Sequence, residues 1–241
     1  MKITVVGSSH GVPEANRKCA SFLIEVGENV YFVDMGTPGI DALRSRGLAV
    51  EAVKGIFITH MHGDHTNGLI PFVDLITWYF KKADPDIYLP LPEAAEAIRA
   101  WLKVTLNGEE MKAKFHPVTP GVMYDDGVLK VTSIPTQHCH KSGAYLIEAE
   151  GKTVLITGDL KNPGIDFPAV AMERPLDLVI CESAHFPATD YLPVFAKCDI
   201  KKVCVTHYSN RFLASVLQLM QELQVSGKDF VMATDDLQLN L

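Results

Sequence analysis

The sequence predicts an α/β protein. Two related halves, each a sheet carrying helices, pack sheet on sheet as a four-layer αββα sandwich over a single domain, residues 1–241. Two observations predict it. First, a hairpin pattern appears twice. Ser21 to Val26, a turn at Gly27-Glu28-Asn29, and Val30 to Asp34 return as Tyr145 to Ala149, a turn at Glu150-Gly151-Lys152, and Val154 to Asp159. Phe-Leu-Ile-Glu matches Tyr-Leu-Ile-Glu, and both hairpins end near an Asp, as an internal duplication would leave them; two ordinary hairpins can also converge on such a pattern. Second, short β-rich runs alternate with helical spacing along the whole chain, and no Pro/Gly/Ser-rich linker divides it.

In order, Met1 to Val6 reads as a strand. Gly7-Ser8-Ser9-His10-Gly11-Val12-Pro13 is a loop of residues that permit tight turns. After the first hairpin, Ile56-Phe57-Ile58 is an apolar strand run. Gly68 to Lys82 has Leu69, Phe72, Leu75, Ile76 and Phe80 at helical spacing, with Trp78 and Tyr79 read as core bulk rather than a substrate platform. Asp86 to Leu89 is a short strand. Pro92 opens a helix through Ile98, Trp101 and Val104 that Asn107-Gly108 stops. Residues 115–135 read as β with a turn at Asp125-Asp126-Gly127. After the second hairpin come strand Leu176 to Ile180, helix Thr189 to Ala196, strand Lys202 to Thr206, helix Phe212 to Leu223, and strands Phe230 to Ala233 and Leu237 to Leu239.

Composition narrows the function. The chain is 47% hydrophobic, enough for a large core, with no apolar run long enough to span a bilayer. The opening strand is too short to be a signal peptide's apolar region, so a cytoplasmic protein without a membrane partner is expected. The formal net charge is −7 and no four Lys/Arg run together. That disfavours long nucleic acid, which is usually gripped by a basic face, but not a small phosphate ester. Cys19, Cys139, Cys181, Cys198 and Cys204 are odd in number and form no C-x-x-C pair, which predicts free, mostly buried thiols in a reducing compartment. Cys139, between two histidines, is an alternative soft ligand.

The chemistry concentrates in Thr59-His60-Met61-His62-Gly63-Asp64-His65-Thr66, which places three imidazoles and a carboxylate in six residues. These donors suit zinc and similar divalent ions. On an extended segment leaving a strand, His60 and His62 point the same way. Gly63 then lets the chain turn, presenting Asp64 and His65 to a second point. Two donors at each of two centres imply a dinuclear site that other segments must complete. Three more apolar strands end in a candidate donor: His138 after Ser133 to Gln137, Asp159 after Val154 to Gly158, and His207 after Val203 to Thr206. Rigid sheets fix where such strand-end residues project.

His60-x-His62-x-Asp64-His65 resembles the signature loop of the metallo-β-lactamase fold hydrolases. His138 followed by Tyr145, Gly158-Asp159 and His207-Tyr208-Ser209-Asn210-Arg211-Phe212 resemble the later segments of the RNase Z tRNA 3′-processing endonucleases and their relatives. Gly7 to Pro13 with Arg17, and Ala233-Thr234-Asp235-Asp236, look like that family's opening and closing loops. The resemblance implies that His60, His62 and His138 hold one ion, that Asp64, His65 and His207 hold the other, and that Asp159 bridges them. His140 is the alternative to His138, whose distance to Tyr145 fits the pattern. It further implies two divalent ions, zinc first with manganese or iron as alternatives. His185, 22 residues before His207, matches a histidine thought to protonate the leaving oxygen. Asp64, Glu182 and His185 are thus candidate catalytic residues, Glu182 either orienting His185 or purely structural, and Ser209 and Arg211 are candidate substrate contacts.

One departure matters. RNase Z enzymes insert a long tRNA-gripping arm between the third histidine segment and the bridging Asp, whereas Tyr145 to Asp159 here is one tight hairpin. Arm-less relatives include cyclic phosphodiesterases of small substrates. The expected activity is therefore metal-dependent hydrolysis of a small or cyclic phosphodiester by a hydroxide shared between two ions. The alternatives are a carboxyl-ester, lactone or thioester hydrolase, an RNase Z-type ribonuclease, a diiron reductase (a branch that usually has Glu where His62 stands), and a non-catalytic metal-binding module. A homodimer is the assembly considered.

Overall fold

The computed structural model describes residues 1–105 and 110–241. The first sheet has seven strands: β1 (Lys2–Gly7), β2 (Ser21–Val26), β3 (Asn29–Met35), β4 (Val53–Phe57), β5 (Asp86–Leu89), β6 (Lys114–Pro117) and, at the far edge beside β1, β14 (Leu237–Asn240). The second also has seven: β7 (Gly121–Asp125), β8 (Lys130–Pro135), β9 (Gly143–Ala149), β10 (Lys152–Ile156), β11 (Leu176–Ser183), β12 (Ile200–Tyr208) and β13 (Asp229–Met232). The helices that cover them are α1 (Gly39–Arg44), α2 (Gly63–Thr66), α3 (Leu69–Trp78), α4 (Pro92–Thr105), α5 (Pro163–Asp166), α6 (Val170–Glu173), α7 (Leu192–Phe195) and α8 (Leu213–Val225).

Three apolar layers hold the four structural layers together. Between the sheets, Ile3, Phe22, Ile24 and Phe57 meet Val131, Ile147, Val154 and Ile180. Outside the first sheet, Phe32, Ile56 and Ile87 pack against Leu43, Phe72 and Leu102. Outside the second, Leu155, Val179 and Val203 pack against Tyr191, Phe195 and Leu219. Strands buried on both faces read as continuous apolar runs rather than strict alternation, which is the character of Val30 to Val33 and Val203 to Val205. The two matching hairpins occupy matching places, β2 with β3 and β9 with β10, each antiparallel. Each is followed by a parallel pairing, β3 with β4 and β10 with β11.

The predicted helix from Gly68 to Lys82 is shorter and ends at Trp78. Trp78 and Tyr79 are not core: they stand 45% and 61% exposed, because α3 turns its Phe72, Val73 and Ile76 stripe to the sheet and these two rings fall beyond it. The helix from Thr189 to Ala196 is a 3₁₀ turn, Ala188–Tyr191, running into α7. The expected stop at Asn107-Gly108 lies outside the described residues. No helix among the described residues is long and apolar enough to cross a membrane.

The topology decides where chemistry can sit. Strands β3 to β6 are mutually parallel, as are β10 to β13, and β8 runs with β10 because each is antiparallel to β9. The segments that follow β4, β8 and β10, together with the ends of β3, β11 and β12, therefore emerge at one edge of the sandwich.

Candidate metal centre

His60 follows β4 at that edge, fully buried. His62 caps α2 with extended backbone, and Asp64 and His65 lie in the first turns of that helix. The tight path needs glycine at 36, where a Cβ would stand 1.8 Å from the Asp64 carbonyl oxygen.

His60 Nε2 lies 3.0 Å from His62 Nδ1, and His138 Nε2 lies 3.3 Å from the same nitrogen. Asp159 Oδ2 stands 3.7 Å from His60 Nε2 and 3.6 Å from His138 Nε2. A second group forms beside it. His207 Nε2 is 3.0 Å from Asp64 Oδ2 and 3.3 Å from His65 Nε2, and Asp159 Oδ1 is 3.5 Å from His65 Nε2. Asp159 thus presents one oxygen to each trio. Donors about 2.0–2.2 Å from a tetrahedral ion are about 3.3–3.6 Å apart, so both groups have the spacing that would hold one. Asp159 Oδ1 and His207 Nδ1 are buried with no hydrogen-bond partner among the described residues, an expensive condition that coordination would relieve. The structure brings His138 into this cluster and leaves His140 exposed outside it. Cys139 is half-buried and likewise outside it, its thiol directed to the His140 carbonyl.

The electrostatics point the same way. Burial, reinforced by the neighbouring His65, pushes His60 down to about 2, leaving it neutral as a ligand must be. Burial would raise Asp64, but hydrogen bonds with His207 and His65 outweigh it and hold the carboxyl below its usual range. Burial opposes charge on His65 and His207, yet Asp34 and Asp159 raise the first, and Asp159 and Asp64 the second. Buried carboxylates here demand positive charge, which a divalent ion meets more fully than a proton.

Two residues that spacing alone passed over support the donors. Asp34, at the end of β3, accepts from His65 Nδ1 at 2.7 Å and from the Thr59 amide at 2.8 Å. It is fully buried with φ +56, a left-handed conformation uncommon outside glycine. The repeated hairpin held the signal, since Asp34 is the first-half counterpart of Asp159. Asp166 accepts from the amides of Gln137, Lys161 and Asn162, tying the His138 and Asp159 loops together. The opening and closing loops meet beneath His207. Asp235 accepts from the Ser8 amide and hydroxyl, and the Ser8 carbonyl accepts from the His207 amide at 2.9 Å.

His185 stands at the rim, its ring 4.5 Å from that of His138. Its Nδ1 lies 2.9 Å from both oxygens of buried Glu182. Glu182 also accepts from the amides of Leu160 and Ala184, so it positions the loop and the imidazole together. Ser209 and Arg211 sit differently. The Ser209 hydroxyl is buried without a partner among the described residues, and exposed Arg211 lies 5.1 Å from the ring of Phe212. It is Arg17 that engages this segment, bonding the Tyr208 carbonyl at 2.9 Å and covering its ring.

Comparison with known proteins agrees with the fold. A crystal structure of the metallo-beta-lactamase fold protein YhfI from Bacillus subtilis superposes with a TM-score of 0.80 at 18% identity, covering 99% of this chain and 98% of that one. A ribonuclease Z of Microcystis aeruginosa is 30% identical over 149 residues, 61% of this chain and 46% of its own length. A ribonuclease Z of Crocosphaera subtropica is 29% identical over 301 aligned positions, covering 98% of this chain and 96% of the relative. The chain spans about half the length of several of the ribonucleases it matches. The family profile described as Anti-Pycsar protein Apyc1 matches residues 1–216, and the chain, with its metallo-β-lactamase fold and paired His/Asp clusters, belongs to that family.

Proposed function

We propose that the protein is a dinuclear metal-dependent phosphodiesterase of small substrates, cyclic diesters included. The observation that carries this reading is the pair of donor trios sharing Asp159, with a carboxylate-held imidazole at their rim. His60, His62 and His138 would hold one ion, and Asp64, His65 and His207 the other. Imidazole and carboxylate donors favour zinc, with manganese or iron as alternatives. Ions held there supply Lewis acidity, which makes water nucleophilic at neutral pH and offsets charge on a phosphoryl oxygen.

The chain's own residues would do the rest. Asp34 fixes the His65 ring so that Nε2 faces the cluster. Glu182 accepts a hydrogen bond from Nδ1–H of His185, leaving Nε2 to carry the proton given to the departing alkoxide. That hydrogen bond, against the opposing effect of burial, raises the His185 pKa and keeps the acid form populated. Ser209 and Arg211 stay proposed substrate contacts, Arg211 exposed and the Ser209 hydroxyl buried.

Substrate size follows from two observations. The β9–β10 hairpin closes through Glu150 and Gly151, both at positive φ, a two-residue turn that holds no arm. The alignment with the Crocosphaera enzyme extends over 301 positions against 241 residues here, so that relative carries segments this chain lacks. An RNase Z-type activity is the second reading, supported by the named relatives. The reading includes a cytoplasmic location, supported by five free cysteines. It also includes a homodimer, for which exposed Trp78, Tyr79 and Trp101 on the outer helices offer a surface.

The test is a panel with zinc- and manganese-loaded protein: bis-p-nitrophenyl phosphate and 2′,3′-cyclic nucleotides beside lactones, thioesters and precursor tRNA. Turnover of the diesters is expected. Turnover confined to carboxyl esters, or accurate tRNA 3′ processing, would overturn the reading.

A further inference from the structure

Beneath the donor cluster the two sheets leave a small cavity. Phe22, Ile156 and Ile180 give it an apolar floor, and Asp159, Thr206 and His207 line it at the edge that carries the cluster. The room it leaves for a water-sized sphere is about 10 Å³. A single water takes about 10–15 Å³ by that measure and needs roughly two to four polar partners.

Those partners are present. Thr206 and His207 are each 3% exposed, and Thr206 Oγ1 and His207 Nδ1 have no hydrogen-bond partner among the described residues. Successive residues of a regular strand point to opposite faces. Both line one cavity here because β12 is bulged. Its pairing with β11 matches Glu182 with Thr206 and then Ser183 with Tyr208, passing over His207, which stands at φ +45. A bulge re-aims a side chain in this way.

Three of the donor histidines, His60, His65 and His207, are buried. A ligand histidine is held by a partner on the nitrogen that faces away from the ion. His65 Nδ1 has Asp34 at 2.7 Å, and His60 Nδ1 has the Thr59 hydroxyl at 3.0 Å. At His207 the nitrogen beside Asp64 and His65 is Nε2, so Nδ1 is the outer one. Coordination relieves Asp159 Oδ1 directly, but through Nε2 it fixes the His207 ring and leaves Nδ1–H in need of an acceptor. Asp159 Oδ1 stands 3.6 Å from that nitrogen, too far for a direct hydrogen bond and close enough for a water to join the two.

We infer that one buried water sits in this cavity as the outer partner of His207. It accepts from His207 Nδ1–H and from the Thr206 hydroxyl and donates to Asp159 Oδ1, so a single molecule satisfies all three groups. Thr206 is then a positioning residue. Through the water it fixes the tautomer and orientation of His207, the part that Asp34 plays for His65. The inference rests on the two-ion part of the reading above and is independent of the substrate.

The test compares Thr206→Val, which keeps the shape of the side chain without its hydroxyl, with Thr206→Ser, which keeps the hydroxyl. Long-lived internal waters are counted by water-oxygen magnetic relaxation dispersion, and zinc affinity is measured by chelator competition. Thr206→Val should hold one internal water fewer than wild type. It should bind one of its two zinc ions about 10–100-fold more weakly, the usual cost of losing such an outer partner, with the other ion unaffected. Thr206→Ser should keep both the water and the affinity. An unchanged water count in Thr206→Val would overturn the water. A lost water with both zinc affinities unchanged would overturn its part in holding His207, and equal losses in the two variants would overturn the part of the hydroxyl. Wild-type protein that takes up a single zinc, while Thr206→Val still loses the water, would keep the water and overturn the two-ion reading.

Discussion

Replacing His185 by Ala separates proton donation from metal binding. The imidazole is 39% exposed, lies 2.9 Å from Glu182 and 3.8 Å from Asp159, with which it forms a third group of donors, and belongs to neither of the two trios assigned to the ions. Its loss should therefore leave the fold and both ions in place. The loss of a general acid typically costs about 10²–10⁴ in rate, equivalent to about 2.7–5.4 kcal/mol of transition-state stabilisation. That loss is expected on a diester with a poor alkoxide leaving group. It should shrink towards none with p-nitrophenolate, which departs without a proton. The pH profile supplies a second readout. Glu182 raises the His185 pKa, so the acid form is present below that pKa and is lost as pH rises through it. Wild-type activity on the poor leaving group should fall along an alkaline limb that His185→Ala lacks, and Glu182→Gln should move that limb to lower pH. The assays are metal content by elemental analysis and kcat/KM across pH on both diesters. Loss of metal in His185→Ala would show that the ligand assignment is wrong. Equal slowing on both substrates with metal retained would refute proton donation and leave a positioning role.

Protein purified without chelator should approach two ions per chain, and Asp159→Ala should reduce this by elemental analysis; a value near one in both would refute the shared carboxylate. Asp34→Ala removes the acceptor of His65 Nδ1 and the Thr59 amide. It should lower metal affinity about 10–100-fold by chelator competition and cost about 1–3 kcal/mol in denaturant unfolding of the metal-free protein. His138→Ala should lose metal, whereas His140→Ala should match wild type in stoichiometry; the opposite pattern would reverse the choice between them.

How much could be read in advance depends on how far apart in the chain the interacting groups lie. His60, His62, Asp64 and His65 fall within one strand end and one short helix, so local spacing alone sets most of their geometry. The two hairpins were legible for the same reason: alternation, turn glycines and strand length are local properties, and their repetition implied two sheets. Tertiary structure decided what sequence distance conceals. His138 and His140 share a parity on any extended segment, and only the turn closed by Cys139 and Ser142 sends one of them to His62. Asp34 looked like the end of a strand until folding set it 2.7 Å from a histidine 31 residues away. Trp78 and Tyr79 carry an apolar signal strong enough to suggest core, but burial depends on which stripe of α3 meets the sheet, and that is set by Phe72, Val73 and Ile76.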